Sequence, residues 1–167
     1  MIYESRVCSW FATNCIVLSQ WHICLQFFTT TKDPSILKCL PSNCLVFPSD
    51  VEGTSADITL RNISPYPPLF KLKTTSREGY YVRPAIGFIF CNECATVPVT
   101  LNPKKVNPAV DKFLISSYQY VSSNLDPSSL AFTKTDLYEV WTNIEKDPER
   151  KRNIAYDKLK CSILSSK

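Results

Sequence analysis

Lysine and threonine side chains occur in two short stretches, FKLKTT at 70–75 and DKFLI at 111–115, in a pattern suited to binding an acidic group. In a β-strand, successive side chains point to opposite faces. The side chains that would share one face of the two strands are Lys71, Lys73, Thr75, Lys112 and Leu114. Ammonium and hydroxyl groups bind carboxylates through charge-assisted hydrogen bonds. With almost no acid nearby in the sequence, the pattern points to an acidic group on another molecule.

This patch depends on the two stretches being neighbouring strands. Three ammonium groups, a hydroxyl and an apolar floor would then lie together on one exposed surface. On alternation alone, the favoured interpretation is simpler, because lysines commonly mark the solvent-facing side of a sheet.

The elements that must position the patch are short strands. From Ile36 onward, apolar runs recur at intervals of roughly ten residues and end at Pro, Asn, Asp or Gly, which predicts an all-β, immunoglobulin-like sandwich of seven to nine strands. The segment near 128–156 is the exception, since its apolar spacing indicates a short helix or a wrapped loop. Pro98 lacks a backbone donor, so its strand is expected to be an edge strand or to carry a bulge there.

The predicted domain spans residues 36–164, between an N-terminal extension at 1–35 and a short tail at 165–167. Residues 8–28 contain no Asp, Glu, Lys or Arg and approach the length of a membrane span, although many are polar. Two interpretations stay open for the extension, a membrane-associated segment and a loosely packed one. A signal peptide is disfavoured, because the segment lacks a compact aliphatic centre.

Composition argues against several classes of function. Three glycines provide no Gly-rich phosphate loop, and a single histidine, His22, gives no base for nucleophilic catalysis within the sandwich, so no enzyme and no cofactor are predicted. A net charge of +4 without a concentrated basic stripe argues against nucleic acid. The pairs Cys91/Cys94 and Cys39/Cys44 have unmatched spacing, which favours free thiols over a metal site.

The order of LRNIS, FKLKTT, YYVRP, VPVTLNP, DKFLI and KLKC resembles the major sperm protein (MSP) domain family, in the form carried by VAMP-associated proteins. The resemblance covers about residues 36–164. It implies a non-catalytic immunoglobulin-like β-sandwich. In the VAMP-associated branch it also implies a basic groove for the FFAT motif, a short peptide with two phenylalanines in an acidic tract.

The resemblance assigns a role to each residue of this groove. Lys73, Thr74 and Thr75 would hold the peptide backbone and its central acidic side chain. Lys112 would pair with the same acid, and Leu114 would pack on a phenylalanine of the motif.

Two further basic residues and one acid belong to the same expectation. Lys71 would attract the acidic flank of the peptide, and Arg83 stands where family members keep an arginine near the groove. Asp111 precedes Lys112 and would partly neutralise the site.

The resemblance thus predicts an adaptor for proteins with acidic FFAT-like motifs, in the cytoplasm or at the cytosolic face of the endoplasmic reticulum. Membrane association would arise through residues 8–28 or through partners. The alternative is a self-assembling structural protein similar to major sperm protein itself, a homodimer that builds cytoskeletal filaments.

Overall fold

The computed structural model of the chain describes residues 36–119 and 133–164. The predicted extension at 1–35, with its candidate membrane segment at 8–28, and the tail at 165–167 lie outside the described residues. In the two described ranges, no helix combines the length and the apolar character needed to cross a bilayer.

The described residues form a sandwich of two β-sheets, which confirms the predicted all-β fold. In chain order the strands are β1 (Leu37–Leu40), β2 (Cys44–Phe47), β3 (Ser55–Asn62), β4 (Pro68–Thr74), β5 (Tyr80–Val82), β6 (Ile86–Phe88), β7 (Cys94–Leu101), β8 (Lys112–Gln119) and β9 (Ala155–Ile163). One sheet has the order β1–β3–β7–β5, and the other has the order β2–β9–β8–β4–β6. The β2–β9 pair is parallel and the other pairs are antiparallel.

Period-two alternation builds the core between the sheets. In β8, Phe113 and Ile115 are buried, whereas Lys112 is exposed and Leu114 is half-buried. The ring of Tyr80 from the opposite sheet meets the ring of Phe113 edge-on, with centroids 4.9 Å apart. Such aromatic pairs add to the stability that burial provides, so this contact fixes the two sheets against each other beneath β8.

Strand β7 tolerates Pro98 because of its short neighbour. Pro98 is opposite Asp57 of β3, whereas β5 pairs only with Val99 to Leu101. β7 is an inner strand of its sheet, so the predicted edge position is wrong for the strand as a whole. At Pro98, however, β7 extends beyond the end of β5, and a residue without a backbone donor fits there.

Two helices precede β9, α1 (Lys134–Lys146) and α2 (Pro148–Arg152), which confirms the predicted helical insertion. A capping box starts α1: the Thr133 hydroxyl accepts a hydrogen bond from the Asp136 N–H, and the Asp136 carboxylate accepts one from the Thr133 N–H. The Asp147 carboxylate accepts hydrogen bonds from the first N–H groups of α2. These caps set where each helix begins, and so which α1 side chains face the sheet.

Helix α1 covers part of the outer face of the five-stranded sheet. Trp141 and Ile144 are fully buried there, and they pack in one cluster with Leu69 of β4, Ile86 of β6 and Ile154. We call this part of the outer face the covered half. It is a second, smaller core, separate from the one between the sheets.

Candidate functional site

The register of three adjacent strands brings a lysine, a leucine and a second lysine side by side. Lys73 of β4 is opposite Leu114 of β8, and Leu114 is opposite Lys158 of β9. Both lysines are exposed, and Leu114 is half-buried between them. Directly opposite residues on neighbouring strands have their side chains in contact range. An apolar floor is therefore flanked by two ammonium groups.

A second row lies next to this one, at the end of the same strands. The Thr75 N–H donates to the Lys112 carbonyl at 3.1 Å, and the Lys112 N–H donates to the Thr75 hydroxyl at 3.0 Å. Lys112 is in turn opposite Lys160 of β9. Both lysines are exposed, so the two rows together hold four exposed cations.

These rows enclose a depression of about 290 Å³, which we call the basic groove. It is lined by Lys73, Thr74, Thr75, Lys112, Phe113, Leu114 and Lys158. A depression of about 600 Å³ shares Lys73 and Thr74 with it, and another of about 540 Å³ shares Lys112 and Lys158. We call the part of the outer face that carries the basic groove the open half. Because neighbouring depressions share walls, the groove continues on both sides.

The basic groove unites Lys73, Lys112 and Leu114 as predicted from alternation. The two threonines lie in its wall with their hydroxyls engaged. The Thr74 hydroxyl accepts a hydrogen bond from the Ser76 N–H at 3.3 Å. The Thr75 hydroxyl donates to the Asp111 carboxylate at 3.3 Å. Thr75 thus helps to join β4 to β8.

Asp111 faces the interior. It is buried, and its carboxylate accepts hydrogen bonds from the Tyr80 hydroxyl at 3.1 Å and from the Asn107 N–H at 2.7 Å. The Tyr80 hydroxyl also lies 3.1 Å from the Cys161 sulfur. Burial, followed by these two partners, raises the pKa of Tyr80 above its ordinary value, so the hydroxyl remains protonated. Asp111 therefore anchors the start of β8.

Lys71 differs from its expected role, because helix α1 covers it. Its side chain is only 15% exposed, and its ammonium group lies 5.6 Å from the ring centre of Tyr138 and 5.4 Å from that of Trp141. Burial lowers the pKa of Lys71, partly opposed by the nearby carboxylate of Glu145. Lys71 thus belongs to the edge of the covered half and not to an exposed patch.

Glu145 brings close to these lysines an acid that their neighbourhood in the sequence does not contain. Its carboxylate lies 2.9 Å from the Lys73 ammonium group and 3.8 Å from that of Lys71. Partial burial acts to raise the pKa of Glu145, but the Trp141 indole and the two lysines outweigh it, so the pKa is lowered. The indole N–H has no hydrogen bond of normal geometry, so its influence is that of a nearby dipole. Glu145 comes from a distant part of the sequence, so the stretches around the lysines give no sign of it.

Arg83 is not brought together with Lys112. It is exposed after β5 and lines a depression of about 460 Å³ with Pro84 and Leu137. This depression shares Val82 and Ala85 with the one of about 600 Å³ that adjoins the basic groove, but Arg83 does not line the basic groove itself. The Arg83–Pro84 peptide bond is cis.

Two residues of the site were missed in the sequence. Lys158 has a signal there, since alternation in DKLKC places Lys158 and Lys160 on one face in the same way as Lys71 and Lys73. No sequence pattern indicates that Glu145 belongs to the site, because its position depends on how α1 lies on the sheet.

Metal binding has no support in the described ranges, where no three His, Cys, Asp or Glu side chains are grouped to hold an ion. The cysteines of these ranges, Cys39, Cys44, Cys91, Cys94 and Cys161, are free thiols. Burial, with a smaller effect from Asp157, raises the pKa of Cys39 to about 11. Buried thiols of this kind are inert.

Comparison with known families agrees with this architecture. The model of the MSP (major sperm protein) domain matches residues 36–136, which is more than half of the chain. The chain belongs to the MSP domain family. The match includes β1 to β8 and thus the Lys73, Lys112 and Leu114 side of the basic groove.

Two curated relatives confirm the resemblance to the VAMP-associated type. Vesicle-associated membrane protein-associated protein scs22 of Schizosaccharomyces pombe is 34% identical over 131 residues, which cover 75% of this chain and 36% of that protein. The scs2 protein of the same species is 35% identical over 109 residues, 62% of this chain and 26% of that protein. The matched part of this chain thus covers only about a third or less of the length of each relative.

Solved structures of MSP proteins share the fold. The Caenorhabditis elegans MSP family member WR4 has a TM-score of 0.52 at 18% identity, covering 80% of this chain and 100% of WR4. The MSP-domain-like protein SSP-19 of the same species has a TM-score of 0.50 at 18% identity, covering 75% of this chain and 99% of SSP-19.

Proposed function

We propose that this MSP domain is a non-catalytic adaptor whose basic groove captures short acidic peptides of the FFAT type. The observation that carries the proposal is the row Lys73–Leu114–Lys158 with Lys112 beside it. An apolar floor between ammonium groups suits a peptide that offers an aromatic side chain next to carboxylates. The curated relatives of the VAMP-associated type support the same role.

Leu114 and the lysines contribute in different ways. A buried aromatic anchor commonly supplies much of the affinity of a protein–peptide interface. The half-buried Leu114 is the surface on which a phenylalanine of the peptide would pack. A hydrogen bond between an ammonium group and a carboxylate contributes about 1.5–3 kcal/mol when it is shielded from water. Lys112, two residues from Leu114 along β8, and Lys158, opposite Leu114 on β9, are placed to bind the central acid of the peptide.

The exposed charge also speeds the encounter. Clustered cations steer an acidic partner toward the groove, and this attraction weakens as salt shortens the screening distance to about 8 Å at physiological ionic strength. A domain of this kind would recruit partner proteins, and its relationship to VAMP-associated proteins supports a role at the cytosolic face of the endoplasmic reticulum.

A matched pair of variants tests the function. A fluorescein-labelled acidic diphenylalanine peptide is titrated with the full chain and followed by fluorescence anisotropy. Micromolar binding is expected for the native chain, and none for Lys73→Asp with Lys112→Asp. The control is Lys104→Asp with Lys151→Asp, which makes the same change in net charge at exposed lysines that do not line the basic groove.

The control should keep most of the native affinity. Retained binding in the groove variant, or equal losses in both variants, would contradict the assigned groove. Size-exclusion chromatography over a concentration series separates the alternative function. A monomer at all concentrations fits the adaptor, whereas progressive assembly fits a filament-forming protein.

A further inference from the structure

Lys73 stands at the boundary between the covered half and the open half. Its side chain is 46% exposed and lines the basic groove, while its ammonium group lies 2.9 Å from the Glu145 carboxylate in the last turn of α1. Lys71 forms the inner side of the same contact, at 3.8 Å from the other Glu145 oxygen. One carboxylate of the chain thus already faces two ammonium groups.

The other cations of the site have no such partner. Among the described residues, Lys112, Lys158 and Lys160 form no ion pair with a carboxylate. The basic groove is therefore asymmetric, with a neutralised cation on its β4 side and unpaired cations on β8 and β9.

We propose that Glu145 is an internal competitor of the acidic ligand: it holds Lys73 in the free protein and directs the ligand's principal acid toward Lys112 and Lys158. This inference rests on the proposed function. An ammonium group has three donors, so a second carboxylate can reach Lys73, but it then lies beside Glu145 and the two negative charges repel each other. The ligand acid is bound more favourably where no carboxylate is already present.

The charge distribution gives Glu145 a second effect, on selectivity. A peptide with few acids gains little at the unpaired lysines and does not displace Glu145. A strongly acidic peptide binds the unpaired lysines and also displaces Glu145 from Lys73. Glu145 thus raises the number of acidic side chains that a peptide needs in order to bind.

Glu145→Gln tests the competition because it removes the charge and keeps the shape. The matched control is Glu139→Gln, the same change at an exposed residue of the same helix. Glu145→Gln should bind the acidic diphenylalanine peptide about threefold to fivefold more tightly than Glu139→Gln, the range expected for release of an exposed ion pair. A version of the peptide with its acids changed to amides should bind both variants equally.

A second measurement needs no peptide. Reductive methylation of the full chain, quantified by mass spectrometry, should label Lys73 faster in Glu145→Gln than in the native chain or in Glu139→Gln. The reason is that the amine is no longer held in an ion pair. Labelling of Lys104, which forms no ion pair among the described residues, should stay the same in all three proteins.

The outcomes separate the inference from the function on which it rests. Equal affinity of Glu145→Gln and Glu139→Gln for the acidic peptide would overturn the competition alone. Absence of binding by the native chain and both variants would overturn the proposed function and the competition together. Unchanged Lys73 labelling in Glu145→Gln would show that the pair does not hold in solution, and would also overturn the competition.

Discussion

The covered half and the open half lie on the same face of the same sheet, and strands β4 and β8 contribute to both. On β4, Leu69 is fully buried under helix α1, whereas Lys73, four residues later, is exposed. On β8, Tyr118 packs at the covered end and Leu114 lies in the basic groove. The same strands therefore supply a stabilising core where helix α1 lies over them, and an exposed basic groove where neither of the two described helices does.

The largest effect should come from the covered half. Trp141→Ala removes a fully buried side chain between α1 and the sheet, and such truncations cost about 3–5 kcal/mol of unfolding free energy. Urea denaturation measures the loss, with Leu114→Ala as the comparison. Since Leu114 is only half-buried, that variant should lose about 1 kcal/mol or less. Similar losses in both would show that the two halves do not differ in their contribution to stability.

The next effect concerns binding. Leu114→Asp puts a negative charge on the floor of the basic groove and should weaken binding of the acidic peptide at least about 30-fold, as loss of a central contact does. Its melting temperature should stay near that of the native chain. Val46→Asp, on the exposed outer face of β2 and outside the groove, is the matched control and should bind within about twofold of native. Equal losses of peptide affinity in the two variants would show that the floor of the basic groove is no more important for binding than the surrounding surface.

A smaller effect is expected where the open half is anchored to the interior. Tyr80→Phe removes the hydroxyl that donates to the buried Asp111 carboxylate. The carboxylate still accepts hydrogen bonds from the Thr75 hydroxyl and the Asn107 N–H. The expected cost is about 1–2 kcal/mol in thermal unfolding. If Tyr80→Phe leaves the stability to thermal unfolding unchanged, β8 is held in place by its strand pairing alone.

The smallest effect is a pH dependence at the boundary between the halves. The folded pKa of Glu145 is lowered from 4.5, so its contribution to stability is present above pH 4.5 and is lost as the pH falls through the folded value. Because Glu145 is partly exposed, the contribution is only a few tenths of a kcal/mol. The difference in unfolding free energy between the native chain and Glu145→Gln should therefore shrink below pH 4.5. A difference that stays constant down to pH 3 would contradict the ion pairs of Glu145.

The sandwich was predictable from local patterns, because each strand carries its own alternation and its own end signal. The predicted basic patch required β4 and β8 to be neighbouring strands. The structure confirms this pairing and places Lys73 directly opposite Leu114. Lys71 shows where this reasoning stops. Alternation gave its face correctly, but its exposure depends on α1, whose contact with the sheet is a tertiary feature. Arg83 was placed near the groove by resemblance alone; it does not line the basic groove, and its depression shares walls with the neighbouring one.

The most direct measurement of the central claim is a map of the peptide on the folded domain. The isotope-labelled chain is titrated with the acidic diphenylalanine peptide and followed by amide chemical shifts. The largest shifts should occur at Lys73, Lys112, Leu114 and Lys158, with little change around Trp141 in the covered half. Shifts centred on the outer face of the four-stranded sheet, with none in the basic groove, would contradict the account.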